Sequence, residues 1–81
     1  MASTDVTLYS TTWCGYCRRL KLQLDDAGIT YTEIDVDRDS AAARYVEGVN
    51  GGNRTVPVVR YADDSTETNP SLKQVRAKLA A

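Results

Sequence analysis

Histidine is absent from this chain of 81 residues, and only two cysteines, Cys14 and Cys17, are present. The lack of histidine excludes a catalytic Cys–His pair, and also a zinc site built from cysteine and histidine within one chain. No stretch approaches the roughly 20 apolar residues of a membrane span, so we expect no membrane partner. The polar start, "MASTDVTLYS", lacks the apolar core of a secretory signal, which favours a cytoplasmic protein.

Neither positive nor negative charge is in large excess. Lys and Arg total 10, Asp and Glu total 11, and the net charge is −1. A basic field that would attract nucleic acid is therefore missing, and we expect no nucleic-acid partner. A chain this short has room for one domain only, so we predict a single domain over residues 1–81 and expect a monomer.

Apolar periodicity predicts the element order β-α-β-α-β-β-α. We predict strands at residues 6–10, 30–36, 56–61 and 66–68. The first helix is predicted at residues 15–27, with Gly28 following its end, and the second from Asp39 or Ser40 to the end of "AAARYVEGV". The third is predicted to have Asn69 as its N-cap and Pro70 as its first residue. A strand, a helical crossover and a second strand must be parallel, whereas strands joined by a short turn are antiparallel. The sequence therefore predicts an α/β domain with a mixed four-stranded sheet flanked by three helices.

The two cysteines are separated by two residues, and three interpretations of the pair are open. As a disulfide staple the pair would close a very short loop, which removes little entropy from the unfolded chain. As a zinc site it supplies two of four ligands, so a metal or an iron–sulfur cluster would have to be shared across a dimer. We therefore predict no metal site in the single chain.

A reactive pair accounts best for the position of the cysteines. Cys14 lies at the predicted start of the first helix, where unpaired N–H groups and the helix dipole favour an anion, so we expect its thiolate to be populated. Cys17 lies one turn later, on the apolar stripe of Leu20 and Leu24, and should be less exposed. One cysteine would then attack and the other would resolve the product.

A second motif, "TVP" at residues 55–57, opens an apolar strand. Proline is tolerated there only where its missing N–H is not needed. A cis bond before Pro57 would leave the N–H and C=O of Val56 able to pair with a peptide-like substrate. A trans proline at the first residue of an edge strand is the alternative.

Together, a strand, W-C-x-x-C, a helix and a downstream T-V-P resemble the thioredoxin superfamily, and "GNRTVP" is similar to the glutaredoxins. The segments "TTWCGYC", "NGGNRTVPVV" and "TNPS" resemble the actinobacterial mycoredoxins, which are glutaredoxin-like proteins that work with mycothiol. This resemblance covers nearly the whole chain. It implies a thioredoxin fold, a cis-Pro57 beside the site, and a thiol-disulfide oxidoreductase.

The resemblance also implies roles for individual residues. Cys14 would be the nucleophile and Cys17 the resolving thiol. The residues around them that would bind the substrate or the small thiol are Trp13, Tyr16, Arg54, Thr55, Val56, Pro57, Thr68 and Asn69.

Two departures from many glutaredoxins bear on the small thiol. Thr11 stands where they carry a basic residue, and "ETNPS" stands where they have Gly-Gly and an acidic residue before the last helix. Those features grip the carboxylates of glutathione. Their loss favours mycothiol, whose sugar and inositol lack such carboxylates, as the electron donor over glutathione, with no cofactor bound.

The function predicted from the resemblance is the reduction of mixed disulfides between proteins and a low-molecular-weight thiol. Its partners would be S-thiolated or disulfide-containing proteins and, indirectly, mycothiol disulfide reductase. One alternative is a dithiol reductase of the NrdH-redoxin or thioredoxin type, which takes electrons from a flavoprotein reductase. An alternative of another class is a non-catalytic iron–sulfur or thiol-sensing module.

Overall fold

A computed structural model describes residues 6–80. The elements are β1 (Thr7–Ser10), α1 (Gly15–Asp26), β2 (Thr32–Asp35), α2 (Ser40–Val49), β3 (Val58–Arg60), β4 (Thr66–Thr68) and α3 (Leu72–Ala80). β1 pairs in parallel with β2 and antiparallel with β3, and β3 pairs antiparallel with β4. The sheet order is therefore β2-β1-β3-β4, and the predicted α/β fold with a mixed sheet and a final hairpin is confirmed.

Some predictions reach beyond the described residues. The single domain over residues 1–81 stays a prediction, because residues 1–5 and 81 lie outside the part described. The same holds for the first half of the polar start. Within residues 6–80, no helix is long and apolar enough to cross a membrane.

The sheet separates two hydrophobic clusters because side chains of a strand alternate between its faces. Leu8 and Val59 belong to the cluster that also holds buried residues of α1 and α3, whereas Tyr9 and Val58 belong to the cluster that holds buried residues of α2. The helix residues concerned are Leu20, Leu24 and Val75 in the first cluster and Ala42, Ala43 and Val46 in the second. Leu20 and Leu24 of the predicted α1 stripe are therefore buried together, whereas Cys17, predicted on the same stripe, belongs to the cluster that holds α2 residues.

Helix α1 ends as the sequence predicts. Gly28 follows its last residues with a φ of 71°, a left-handed conformation that glycine adopts without steric cost. The Gly28 N–H donates to the Asp25 carbonyl (3.1 Å) and the Ile29 N–H donates to the Leu24 carbonyl (2.9 Å). These two bonds form a Schellman motif, which satisfies the last carbonyls and turns the chain toward β2.

Three strands are shorter than predicted. β1 begins at Thr7 and β2 spans only Thr32–Asp35. β3 begins at Val58 instead of residue 56. Pro57 has no N–H to donate to a neighbouring strand, so pairing starts after it.

The predicted start of the last helix is wrong by two residues. Asn69 has a φ of 49° and its N–H donates to the Pro57 carbonyl (2.7 Å), so it is not the helix cap. Ser71 has that role instead: its Oγ accepts from the Gln74 N–H (3.1 Å), while the Gln74 side chain accepts from the Ser71 N–H (2.7 Å). This reciprocal arrangement is a capping box, and α3 begins at Leu72.

Replacing Ser71 with Ala should lower the free energy of unfolding by about 1 kcal/mol, because the Gln74 N–H loses its partner at an exposed cap. Replacing Ser71 with Asp keeps an acceptor at that position and serves as the control. Urea denaturation of the three proteins measures the difference. An alanine variant as stable as the parent would show that the cap contributes nothing.

Candidate active site

Cys14 is the N-cap of helix α1. Its backbone is extended (φ −85°, ψ 117°), and its Sγ accepts a hydrogen bond from the Cys17 N–H at 3.3 Å. An N-cap acceptor is normally an oxygen, so here a sulfur takes the place that the amide groups of the first turn favour for a negative charge. Only 8% of Cys14 is exposed. The structure therefore places Cys14 at the tip of the helix, as the sequence predicts.

Cys17 lies one turn further on and is completely buried. Burial and, next, its hydrogen bond with the Cys14 side chain raise the pKa of the Cys17 thiol from the ordinary 9.0 to about 12. Cys17 is therefore protonated at neutral pH and is no nucleophile for a disulfide in solution. Both cysteines are free thiols. This difference in burial between the two cysteines agrees with the prediction.

Val56 and Pro57 form the wall opposite Cys14. The bond between them is cis, as predicted. The Val56 carbonyl lies 3.8 Å from Cys14 Sγ, which donates to it. Within residues 6–80 neither the N–H nor the C=O of Val56 has a main-chain partner. The side chains of Val56 and Pro57 are buried, so it is their main chain that lines the site.

Trp13 and Tyr16 stand out as large exposed side chains beside the cysteines, with 71% and 64% of their surfaces accessible. The Trp13 Nε1–H donates to the Asp37 carboxylate at 2.8 Å. Asp37 follows β2 and was not predicted to belong to the site. Since 24 residues separate it from Trp13, no local sequence signal could have revealed the contact.

The side chain of Arg54 bonds to helix α2. Its guanidinium forms an ion pair with Glu47 of α2, and this contact raises the pKa of Arg54. Glu47 is thus a second residue that the sequence did not reveal. The charge of Arg54 is compensated within the protein.

The end of β4 is connected by hydrogen bonds to the loop that contains Val56. The Thr68 hydroxyl donates to the side-chain oxygen of Asn50 at 2.8 Å, and the Asn50 amide donates to the Thr55 carbonyl at 2.9 Å. Asn69, the next residue, donates its N–H to Pro57. The structure therefore connects Thr55, Pro57, Thr68 and Asn69, while their roles stay predictions.

Thr11 occupies the position where many glutaredoxins carry a basic residue. It is buried, and its hydroxyl has no hydrogen-bond partner among the described residues. Its main chain bonds to Cys17 and opposes the rise in the pKa of that thiol. The position therefore contributes no positive charge to the site.

The two cysteines are not part of a larger ligand set. In the described part of the chain, no three His, Cys, Asp or Glu residues come together in a way that could hold a metal ion. What the arrangement can do is thiol chemistry: a sulfur at the helix tip is held by an amide N–H, and a second, fully buried thiol lies one turn further on.

A family model described as Glutaredoxin matches residues 6–65, well over half of the sequence. The chain belongs to the glutaredoxin family. A Mycobacterium tuberculosis protein named as a glutaredoxin is 54% identical over 79 residues, covering 98% of this chain and 94% of the relative. Mycoredoxin 1 of Corynebacterium glutamicum is 50% identical over 78 residues, covering 96% of each chain.

Solved structures agree with this assignment. The NrdH-redoxin from Escherichia coli has a TM-score of 0.76 at 26% identity and covers 90% of this glutaredoxin, which spans 92% of that chain. The complex of buckwheat glutaredoxin with glutathione has a TM-score of 0.71 at 28% identity, with coverage of 95% and 74%. This glutaredoxin is a thiol-disulfide oxidoreductase, and its family acts on thiol-modified proteins together with a low-molecular-weight thiol.

We expect iodoacetamide at neutral pH to modify Cys14 in the native protein and to leave Cys17 intact. A thiol with a pKa of about 12 has roughly a thousandth of the thiolate of one at 9.0. In denaturant, where burial is lost, both cysteines should react. Mass spectrometry of the digested protein measures each site, and early modification of Cys17 in the folded protein would contradict the buried-thiol assignment.

Proposed function

We propose that this glutaredoxin reduces mixed disulfides between protein cysteines and mycothiol. The observation that carries the proposal is the charge of the site. Arg54 is the one charged member of the predicted thiol-binding set, and it is paired with Glu47. The Thr11 position adds no cation. A small thiol without carboxylates suits such a surface better than glutathione does.

The exchange proceeds in two steps, each of which conserves atoms and electrons. The Cys14 thiolate attacks the mycothiol sulfur of the mixed disulfide, so that a Cys14–mycothiol disulfide forms and the target protein leaves as a thiol. A second mycothiol then attacks the bound mycothiol sulfur, which releases Cys14 and forms mycothiol disulfide. Exchange of this kind is fastest when the attacking thiol has an acidity near the ambient pH and the leaving thiol is acidic.

Two further features support the proposal. The Cys14 sulfur lies at the N-terminal tip of α1 and accepts from the Cys17 N–H. Mycoredoxin 1 of Corynebacterium glutamicum is similar over nearly the whole chain. A cytoplasmic setting, where mycothiol is kept reduced by its own reductase, belongs to the same proposal.

A second candidate is the dithiol route, in which Cys17 attacks Cys14 and a flavoprotein reductase returns the electrons. The likeness to the NrdH-redoxin of Escherichia coli and the position of Cys17 beneath Cys14 favour keeping it as an alternative. That route requires Cys17, whereas the monothiol route above does not. The two are therefore separable by one substitution.

A coupled assay tests the proposal. Proteins carrying mycothiol or glutathione as a mixed disulfide are reduced in the presence of the matching thiol and its reductase, and consumption of reduced nicotinamide cofactor is followed. We expect a higher kcat/KM with mycothiol than with glutathione. Equal or faster turnover with glutathione would refute the choice of carrier.

Cys14→Ser and Cys17→Ser complete this experiment. The first should abolish reduction, because the nucleophile is gone, and the second should retain it on the monothiol route. Loss of all mixed-disulfide reduction in Cys17→Ser would instead assign the activity to the dithiol route.

Replacing Glu47 with Gln should change the preference for the small thiol. The isosteric amide removes the negative partner of Arg54, so its guanidinium becomes available to a glutathione carboxylate. We expect the ratio of kcat/KM for mycothiol to that for glutathione to fall about fivefold, a modest change because the pair is exposed to solvent.

The matched control is Asp64→Asn, which removes the partner of Arg60 in the β3–β4 hairpin, away from Cys14. It makes the same change in net charge and should leave the ratio unaltered. If both variants shift the ratio equally, the effect belongs to overall charge and not to Arg54.

A further inference from the structure

The segment from Thr55 to Pro57 is held at both of its ends. The Thr55 carbonyl accepts from the Asn50 side-chain amide at 2.9 Å, and the Pro57 carbonyl accepts from the Asn69 N–H at 2.7 Å. Val56 lies between these anchors, and its carbonyl contacts only the Cys14 sulfur among the described residues. One peptide unit is thus left open while its neighbours are fixed.

The orientation of the Asn50 side chain follows from its partners. A carbonyl only accepts hydrogen bonds, so Asn50 must present its NH₂ group to Thr55. Its oxygen then faces Thr68, whose hydroxyl donates to it at 2.8 Å. The Thr55 carbonyl therefore selects the orientation of the amide, and Thr68 holds the amide in that orientation from its other side.

Asn50 joins three parts of the fold at this point. It is the C-cap of α2, Thr68 is the last residue of β4, and Thr55 belongs to the loop that leads into β3. Glu47 of α2 also contacts this loop, through an exposed side-chain ion pair with Arg54 and through its carbonyl, which accepts from the Gly52 N–H (2.6 Å). Asn50 bonds closer to the site, at the Thr55 carbonyl next to Val56.

We infer that Asn50 is a positioning residue. Held by Thr68, it keeps the main chain of Val56 opposite Cys14, where that main chain can hydrogen-bond an extended amide group next to the disulfide of the substrate. The inference rests on the proposed function, in which such a disulfide reaches Cys14. An amide group of this kind belongs to the target polypeptide or to the cysteinyl part of the small thiol. A hydrogen-bonding group that is already oriented lowers the entropy lost when the substrate binds.

The test is a single-turnover reaction of the reduced protein, followed by the fluorescence of Trp13, the sole tryptophan and the neighbour of Cys14. Three disulfides are compared: a cysteine peptide joined to 2-mercaptoethanol, mycothiol disulfide, and bis(2-hydroxyethyl) disulfide, which contains no amide. The variants are Asn50→Ala and Thr68→Val. Asn50 has a φ of −100°, so alanine introduces no backbone strain there.

We expect the half-saturating concentration of an amide-bearing disulfide to rise about tenfold in both variants, as for the loss of one net hydrogen bond, with the saturating rate retained. The reaction of Asn50→Ala with bis(2-hydroxyethyl) disulfide, which offers no amide, should change little. A rise for the peptide alone assigns the amide to the target, and a rise for mycothiol disulfide alone assigns it to the small thiol.

Thr66→Val is the matched control, because it makes the same change two residues earlier on the same face of β4. The double variant Asn50→Ala with Thr68→Val should be no worse than Asn50→Ala alone, since both remove one shared network. Equal slowing with all three disulfides, or none with any, would overturn the inference. A result of that kind would leave the choice of mycothiol untouched, because the coupled assay decides it separately.

Discussion

The hydrogen bond from the Cys17 N–H to the Cys14 sulfur is the contact on which the site depends. This single hydrogen bond both caps helix α1 and holds the sulfur of Cys14, the nucleophile, in place. A serine or aspartate in that position would cap the helix equally well, so the helix does not require a cysteine there. The spacing of two residues follows from the same geometry, since an N-cap acceptor reaches the amide three residues on. The motif is thus a helix start in which sulfur has replaced oxygen.

The features that are determined by neighbouring residues were predictable from the sequence. The C-x-x-C spacing at a helix start, Gly28 after the helix, and proline before β3 each depend on neighbouring residues. The start of α3 was missed because Asn69-Pro70 and Ser71 both offer a cap, and the choice is made by a distant carbonyl, that of Pro57, which takes up the Asn69 N–H. The preferences of neighbouring residues do not show which of two possible N-caps is used.

The partners that complete the site lie far away in sequence. Asp37 holds Trp13 across the end of β2, Glu47 holds Arg54, and Asn50 joins the loop to β4. Their identities as Asp, Glu and Asn give no hint of these contacts, because each is also an ordinary surface residue. Two of the three are carboxylates, so the side chains around the reactive sulfur are supported largely by negative groups, which agrees with a substrate that brings no carboxylates of its own.

The unequal burial of the two thiols bears on which route the enzyme takes. For Cys17 to attack Cys14, it must lose its proton at a position where burial disfavours the thiolate. A small thiol in solution is not buried, so its thiolate forms without that penalty. On the proposed route through a single cysteine, Cys17 would contribute through its N–H, which donates to the Cys14 sulfur.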